Sequence, residues 1–196
     1  SLSPADRGGA EIGVVNPGGL RADLLRGTDT VITYAEANAV LPFVNNLNTI
    51  TLTGAQFKTL LEQQWQRLPN GNVASRPYLQ LGLSSNVTYT FDPSKPEGSR
   101  ITSIVVNGSP IDPARGYRIG TFSFLVAGGD NFHVFKQGTN VRDSGLIDRD
   151  AWIAYLTANA PVAPSYAKRS AIVSPTPTTV TPGSRITFQV SGLDLT

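Results

Sequence analysis

The sequence predicts an α+β fold, a mixed β-sheet with helices packed on it. Three observations lead there. Short β-prone runs recur from residue 10 to residue 126, several alternating apolar and polar as half-buried strands do. Three helical patterns fall among them without a regular βαβ rhythm, which argues against a doubly wound sheet. The 19 glycines and 14 prolines read as punctuation between short elements.

The elements follow in order. "SLSPADRGG" (1–9) is a polar lead-in, and "AEIGVVN" (10–16) is a strand that stops at "NPGGLR" (16–21). "TYAEANAVL" (33–41) carries a capping box, Thr33 with Glu36, and its short helix ends before Pro42. "NTITLT" (48–53) is a strand. A second capping box, Thr53 with Gln56, opens a helix expected to run to about Arg67, with Phe57, Leu60, Leu61, Gln64 and Leu68 as its buried stripe. "PNGN" (69–72) is a turn. "YLQLGL" (78–83) and "VTYTFD" (87–92) read as neighbouring strands, with "RITSIVVNG" (100–108) and "YRIGTFSFLV" (117–126) as two more. "DRDAWIAYLTANA" (148–160) is a helix with Asp148 as N-cap. One domain is expected over residues 1–172, followed by a Pro/Thr-rich linker at 173–184 and the start of a truncated β-rich segment at 185–196.

Composition narrows the chemistry. Cysteine is absent, so disulfides, a thiol nucleophile and thiolate metal ligands are excluded. Methionine is absent even at position 1, which marks the chain as a processed protein or an excised fragment. No apolar run is long enough to span a membrane. A net charge of +2, with scattered cations, does not suggest a nucleic-acid polymer as partner. The single histidine, His133, cannot build a binuclear metal centre, and no G-x-S-x-G elbow accompanies it. It reads as a strand or loop position without a catalytic role.

Two glycine-rich stretches remain. "NPGGLR" follows a strand as phosphate loops do, but matches neither standard phosphate motif. It is either a tight turn with an exposed arginine or a close backbone approach to a ligand with Arg21 beside it. "FSFLVAGGDNFHVF" (122–135) poses the same choice: a turn capped by Asp130, or a ligand wall with Asp130 at a hydroxyl and Phe124 as a flat apolar surface. Tyr78, after Pro77, is another aromatic at a strand start.

The order of these blocks is more specific than any one of them. Asn-Pro-Gly-Gly-Leu-Arg (16–21), Thr-Tyr-Ala-Glu (33–36), Leu-Pro-Phe-Val-Asn-Asn (41–46), Leu-Thr-Gly (52–54), Tyr-Leu-Gln (78–80), Tyr-Arg (117–118) and Phe-Leu-Val-Ala-Gly-Gly-Asp-Asn-Phe (124–132) follow one another. The series resembles the C-terminal, substrate-binding domain of the 5'-nucleotidase family over roughly residues 10–172. That family includes secreted bacterial nucleotidases, UDP-sugar hydrolases and the animal ecto-enzyme. The resemblance implies a nucleotide or nucleoside as ligand. It also implies a preceding metallophosphatase domain of the same chain, holding two divalent metal ions that do the hydrolysis. This fragment would carry no catalytic residue and no metal site, and would be inactive alone.

By position, the resemblance makes Phe124 and Tyr78 the two aromatics that sandwich the base. Asp130 accepts from the ribose hydroxyls, and Gly128 and Gly129 let the backbone pass close to the sugar. Arg21 reaches the phosphate or ribose, and Asn48 the base edge. Two departures stand out. Thr53 replaces a basic residue before the helix-opening glycine, with Arg26 as a candidate substitute, and Val44 stands where glycine is common. The function expected is nucleoside monophosphate binding within a secreted, metal-dependent 5'-nucleotidase. The alternatives are a non-catalytic surface or adhesion module of the same fold, or a family member acting on 2',3'-cyclic nucleotides, UDP-sugars or sulfur-containing sulfate esters. The expected location is secreted or cell-surface, in a bacterium.

Overall fold

The computed structural model describes residue 2 and residues 4–25, 29–174 and 179–192. In chain order the strands are β1 (Ile12–Val15), β2 (Asn46–Thr53), β3 (Trp65–Arg67), β4 (Val73–Tyr78), β5 (Gly82–Leu83), β6 (Val87–Phe91), β7 (Ile101–Val106), β8 (Ser109–Pro110), β9 (Gly116–Phe122), β10 (Thr139–Ile147), β11 (Ser170–Ser174) and β12 (Gln189–Ser191). The helices are α1 (Tyr34–Val40), α2 (Gly54–Glu62), α3 (Ser123–Val126) and α4 (Asp148–Ala158). None of the described helices is long and apolar enough to cross a membrane.

The strands build two mixed sheets and a hairpin. The first sheet has the order β10-β2-β9-β1-β5 and the second β12-β11-β6-β7-β8, while β3 and β4 pair alone. Within the first sheet β1 and β9 run parallel, in the register Ile12↔Ile119, and β2 runs antiparallel to β9, in the register Ile50↔Ile119. Alternation in these three strands sends Ile12, Val14, Ile50, Leu52, Tyr117 and Ile119 to one face. There they join Phe57, Leu60 and Leu61 of α2 and Val87, Ile104 and Val106 of the second sheet in one core. The opposite face holds Arg118, whose guanidinium donates to the hydroxyls of Thr49 and Thr51 and to the carbonyls of Gly8 and Asn140. Arg118 is thus consumed by structure, and burial, with Arg142 nearby, lowers its pKa.

Both capping boxes form. Glu36 N donates to the Thr33 hydroxyl and Gln56 N to that of Thr53, and each partner side chain answers the cap's own N–H. Other expectations need correction. The helix from Gly54 ends at Glu62 rather than near Arg67, and residues 65–67 form β3. Gln64 leaves the helical stripe because its fully buried amide donates back to Leu61 O at the helix end, while its oxygen accepts from two groups elsewhere, Leu81 N and the Tyr89 hydroxyl. Leu68, placed in that stripe, is exposed. Residues 78–83 and 87–92 are not neighbouring strands: β4 pairs with β3, β5 with β1, and β6 with β7 and β11. The cause is that Leu79 and Leu81 turn inward as the chain crosses between sheets.

The strand expected over 117–126 stops at Phe122, and Ala127 N closes a helical turn on Ser123 O. Asp148 lies one position inside α4, after Ile147, because its buried carboxylate accepts from Asn45 instead. The expected domain boundary at 172 falls inside β11, which pairs in parallel with β6, and β12 pairs with β11 in the register Ile172↔Ser191. Residues 175–178 of the expected linker and 193–196 of the expected trailing segment lie outside the described residues.

The Gln64 amide joins three segments, so the Gln64→Leu variant should lose about 1–3 kcal/mol of stability by leaving the buried Leu81 N–H without an acceptor. A urea melt would measure this as a lower midpoint at constant slope. An unchanged midpoint would show that the amide carries no net weight.

Candidate functional site

Strand direction gathers the site. β1 and β9 are parallel, so their C-terminal ends emerge at the same edge of the first sheet, and β2, being antiparallel, begins there. Three loops therefore meet at one edge: residues 16–21 after β1, 41–45 before β2, and α3 with residues 127–131 after β9. Ligand crevices commonly form at the carboxyl ends of parallel strands.

The loop after β1 is a 3-10 turn, Pro17–Gly19. Asn16 at its start is buried, and its Nδ2 donates to Asp130 Oδ2 at 2.7 Å across 114 residues of sequence. A Cβ at Gly18 would sit 3.1 Å from Asp130 Oδ2, tighter than an ordinary contact, so glycine suits the close approach of the two loops. Arg21 N donates to Val40 O at 3.0 Å, fastening the loop to the end of α1, and its guanidinium reaches Gly18 O at 3.4 Å.

In the loop after β9, Leu125 enters the core while Phe124 points outward, 43% exposed. Its ring lies over Gly129, where a Cβ would collide with it. Gly128 has φ +81°, and the Lys136 side chain runs along its open face. Asp130 follows at φ +50° and Asn131 at φ +59°, with Phe132 then fully buried as an anchor.

The third loop supplies a ring that sequence reasoning misses. Phe43 is 55% exposed, and the Arg21 guanidinium carbon lies 5.5 Å from its ring centroid. The available signal is an aromatic directly after proline and just ahead of two asparagines, Leu-Pro-Phe-Val-Asn-Asn. Val44 has φ +57°, a region β-branched residues rarely enter, so the expected effect of a missing glycine is visible as strained backbone. The loop is held by Asn45, whose Nδ2 donates to Asp148 Oδ2 and whose carbonyl accepts from Asp148 N, both at 2.9 Å. Asn16 is a second residue of this edge that the sequence alone does not single out.

Tyr78 does not join this group. It ends β4 opposite Trp65, their ring centroids 5.1 Å apart, and Trp65 continues to Phe91 at 5.5 Å and to the Arg100 guanidinium at 5.1 Å. Burial, with Tyr89 beside it, pushes the Tyr78 hydroxyl above its ordinary value of 10.0. The ring expected as the second stacking partner thus packs on Trp65, in an aromatic cluster of the hairpin and second sheet. Asn48 lies within β2, opposite Thr121 and Asp143, with a buried side-chain oxygen that has no protein partner. Thr53 spends its hydroxyl on capping α2. Arg26 lies outside the described residues.

The gathered groups are Asn16, Arg21, Phe43, Phe124 and Asp130 around glycine-lined backbone. Two exposed rings, a fixed carboxylate acceptor and a guanidinium suit the binding of a flat, hydroxylated anion rather than bond-breaking.

Comparison with known proteins identifies the family. Residues 4–137 match the family described as "5'-nucleotidase, C-terminal domain". The chain is 33% identical over 153 residues to the trifunctional nucleotide phosphoesterase protein YfkN of Bacillus subtilis, covering 76% of this chain and 10% of that protein. It is 30% identical over 156 residues to protein UshA of Salmonella pullorum, covering 80% of this chain and 26% of that one. The crystal structure of a 5'-nucleotidase precursor from Thermus thermophilus superposes with a TM-score of 0.72 at 32% identity, covering 87% of this chain and 33% of that one. The chain thus spans between a tenth and a third of the length of these relatives.

Two measurements check the site's construction. Val44→Gly should raise stability by up to about 1 kcal/mol, because the relief of left-handed strain exceeds the entropy glycine adds to the unfolded chain; a lower melting temperature would contradict the strained geometry. Tyr78 is favoured neutral when folded, so its contribution is complete below the ordinary tyrosine value and is lost as pH rises past it. The stability lost between about pH 8 and about pH 11 should be smaller in Tyr78→Phe than in the parent, and an equal loss would show the hydroxyl to be solvated.

Proposed function

Because the chain belongs to the 5'-nucleotidase family through its C-terminal domain, we propose that it is the nucleotide-binding part of a 5'-nucleotidase-type phosphoesterase. The base stacks against the exposed ring of Phe124, with Phe43 rather than Tyr78 as the opposing wall. Every base has a π-face, and each such stack is worth about 1–3 kcal/mol, so affinity comes with loose base preference. Asp130 accepts hydrogen bonds from the ribose hydroxyls, and its carboxylate can take both of a cis-diol. Gly128 and Gly129 leave room for the Lys136 side chain and the Phe124 ring to lie against the turn that carries Asp130. Arg21 opposes the phosphate charge from beside Phe43.

Hydrolysis belongs to a separate metallophosphatase domain of the same protein, whose two divalent ions supply an activated water and charge stabilisation at phosphorus. This chain holds the nucleotide and leaves bond-breaking to that domain. We place the whole protein outside the cytoplasm, in keeping with its likeness to a 5'-nucleotidase precursor of Thermus thermophilus.

The observation that supports the reading most is the meeting of Arg21, Asp130 and two exposed phenylalanines at one sheet edge. Titration of the chain with adenosine and AMP tests it. Phe43→Ala and Phe124→Ala should each weaken binding about tenfold, consistent with one stacked ring, whereas Tyr78→Leu should bind as the parent does. The isolated chain should release no phosphate from AMP. Absence of any binding at millimolar ligand, or a loss confined to Tyr78→Leu, would overturn the proposal.

A further inference from the structure

The turn that carries Asp130 is held in place by other side chains. Gly128, Asp130 and Asn131 all have positive φ within four residues, and two of the three bear a Cβ. Such a run persists where the surroundings over-determine it. Two buried amides do so here. Asn16 Nδ2 donates to Asp130 Oδ2 at 2.7 Å, and Gln66 Oε1 accepts from Asn131 Nδ2 at 3.0 Å. Both residues are almost fully enclosed, at 3% and 2% exposure. Both are rooted in regular structure: Asn16 directly follows β1, and Gln66 lies in β3 with its own Nε2 donating to Gln63 O at 2.9 Å. Gln63 contributes again, its Oε1 accepting from Val134 N at 3.1 Å just past the turn.

Asn16 has a cost as well as a role. Its Oδ1 is buried without a protein partner. A buried acceptor left unpaired is unfavourable, so what the side chain contributes rests on its bond to Asp130. That bond occupies one carboxylate oxygen and fixes the plane of the other.

We infer that Asn16 and Gln66 are positioning residues for recognition of a vicinal diol: together they clamp the left-handed turn from both sides and aim the free oxygen of Asp130 at the sugar hydroxyls. The inference rests on the nucleotide-binding reading above and adds to it the pair of side chains that sets ribose selectivity.

The test compares adenosine with 2'-deoxyadenosine by calorimetry on the 196-residue chain. The parent should prefer adenosine about tenfold or more, as expected for a hydroxyl bonded to a charged acceptor. Gln66→Met should reduce that preference to about twofold while leaving the affinity for 2'-deoxyadenosine unchanged, since it loosens only the aim of Asp130. Asn16→Asp puts a second carboxyl against Asp130, and such a pair shares one proton at low pH and repels when both ionise. Its preference should survive near about pH 5 and disappear near about pH 8, while the parent stays flat. The other ionisable groups around the turn are Arg21 on Gly18, Lys136 along Gly128 and His133 in the 3-10 turn that follows. All three are present in parent and variant alike, so the parent's profile isolates the new pair.

Retention of the parental preference by Gln66→Met, and by Asn16→Asp at both pH values, would overturn the inference. If one variant does not fold, the other decides alone. Asp130→Asn separates the two levels: should it also keep the parental preference, it is the ribose role of Asp130 that fails. Should it abolish the preference while both clamp variants keep it, only the clamp fails.

Discussion

The parallel pairing of β1 with β9 is the constraint on which the site depends. Parallel neighbours deliver their C-terminal ends to the same edge, and here those ends are more than a hundred residues apart in sequence. β2, inserted antiparallel on the other side of β9, brings its own entry loop to that edge. A different hand or order of these three strands would scatter Arg21, Phe43 and Asp130 over the surface. Gly18 then lets its loop close on Asp130, and Gly129 lets the Phe124 ring lie over its own turn.

What was legible in the sequence was local. The capping boxes at Thr33 and Thr53 were readable because cap and partner stand three residues apart and satisfy each other without outside help. The outward Phe124 and the tight Gly-Gly-Asp turn were readable for the same reason. The end of α2 was not, because Gln64 takes its partners from residues 81 and 89 and so obeys tertiary contacts rather than helical period. The choice between Tyr78 and Phe43 was not legible either. Both are aromatics beside a proline, and only the strand pairing shows that one is spent on Trp65 while the other stands free near Arg21.

The site also carries the cost expected of a functional edge. Val44, Asp130 and Asn131 occupy left-handed backbone, and the Asn16 and Asn48 side-chain oxygens are buried without protein partners. All five lie on or beside the loops at one end of the first sheet, and Thr30, Asn107 and Asn140 are left-handed elsewhere, as Arg100 Nε and Trp152 Nε1 are buried without a hydrogen-bond partner. Local rules tend to be broken where a ligand is met. The tail behaves differently: β11 and β12 extend the second sheet and take no part in the first.

The most direct test of the account is the footprint of AMP on the backbone amides of the labelled chain, followed by NMR. The account predicts shifts concentrated at Gly18–Arg21, Phe43–Asn45 and Phe124–Asn131, with Trp65 and Tyr78 left in place. A footprint centred on the Trp65–Tyr78 hairpin, or spread without regard to the edge where β1 and β9 end, would contradict it.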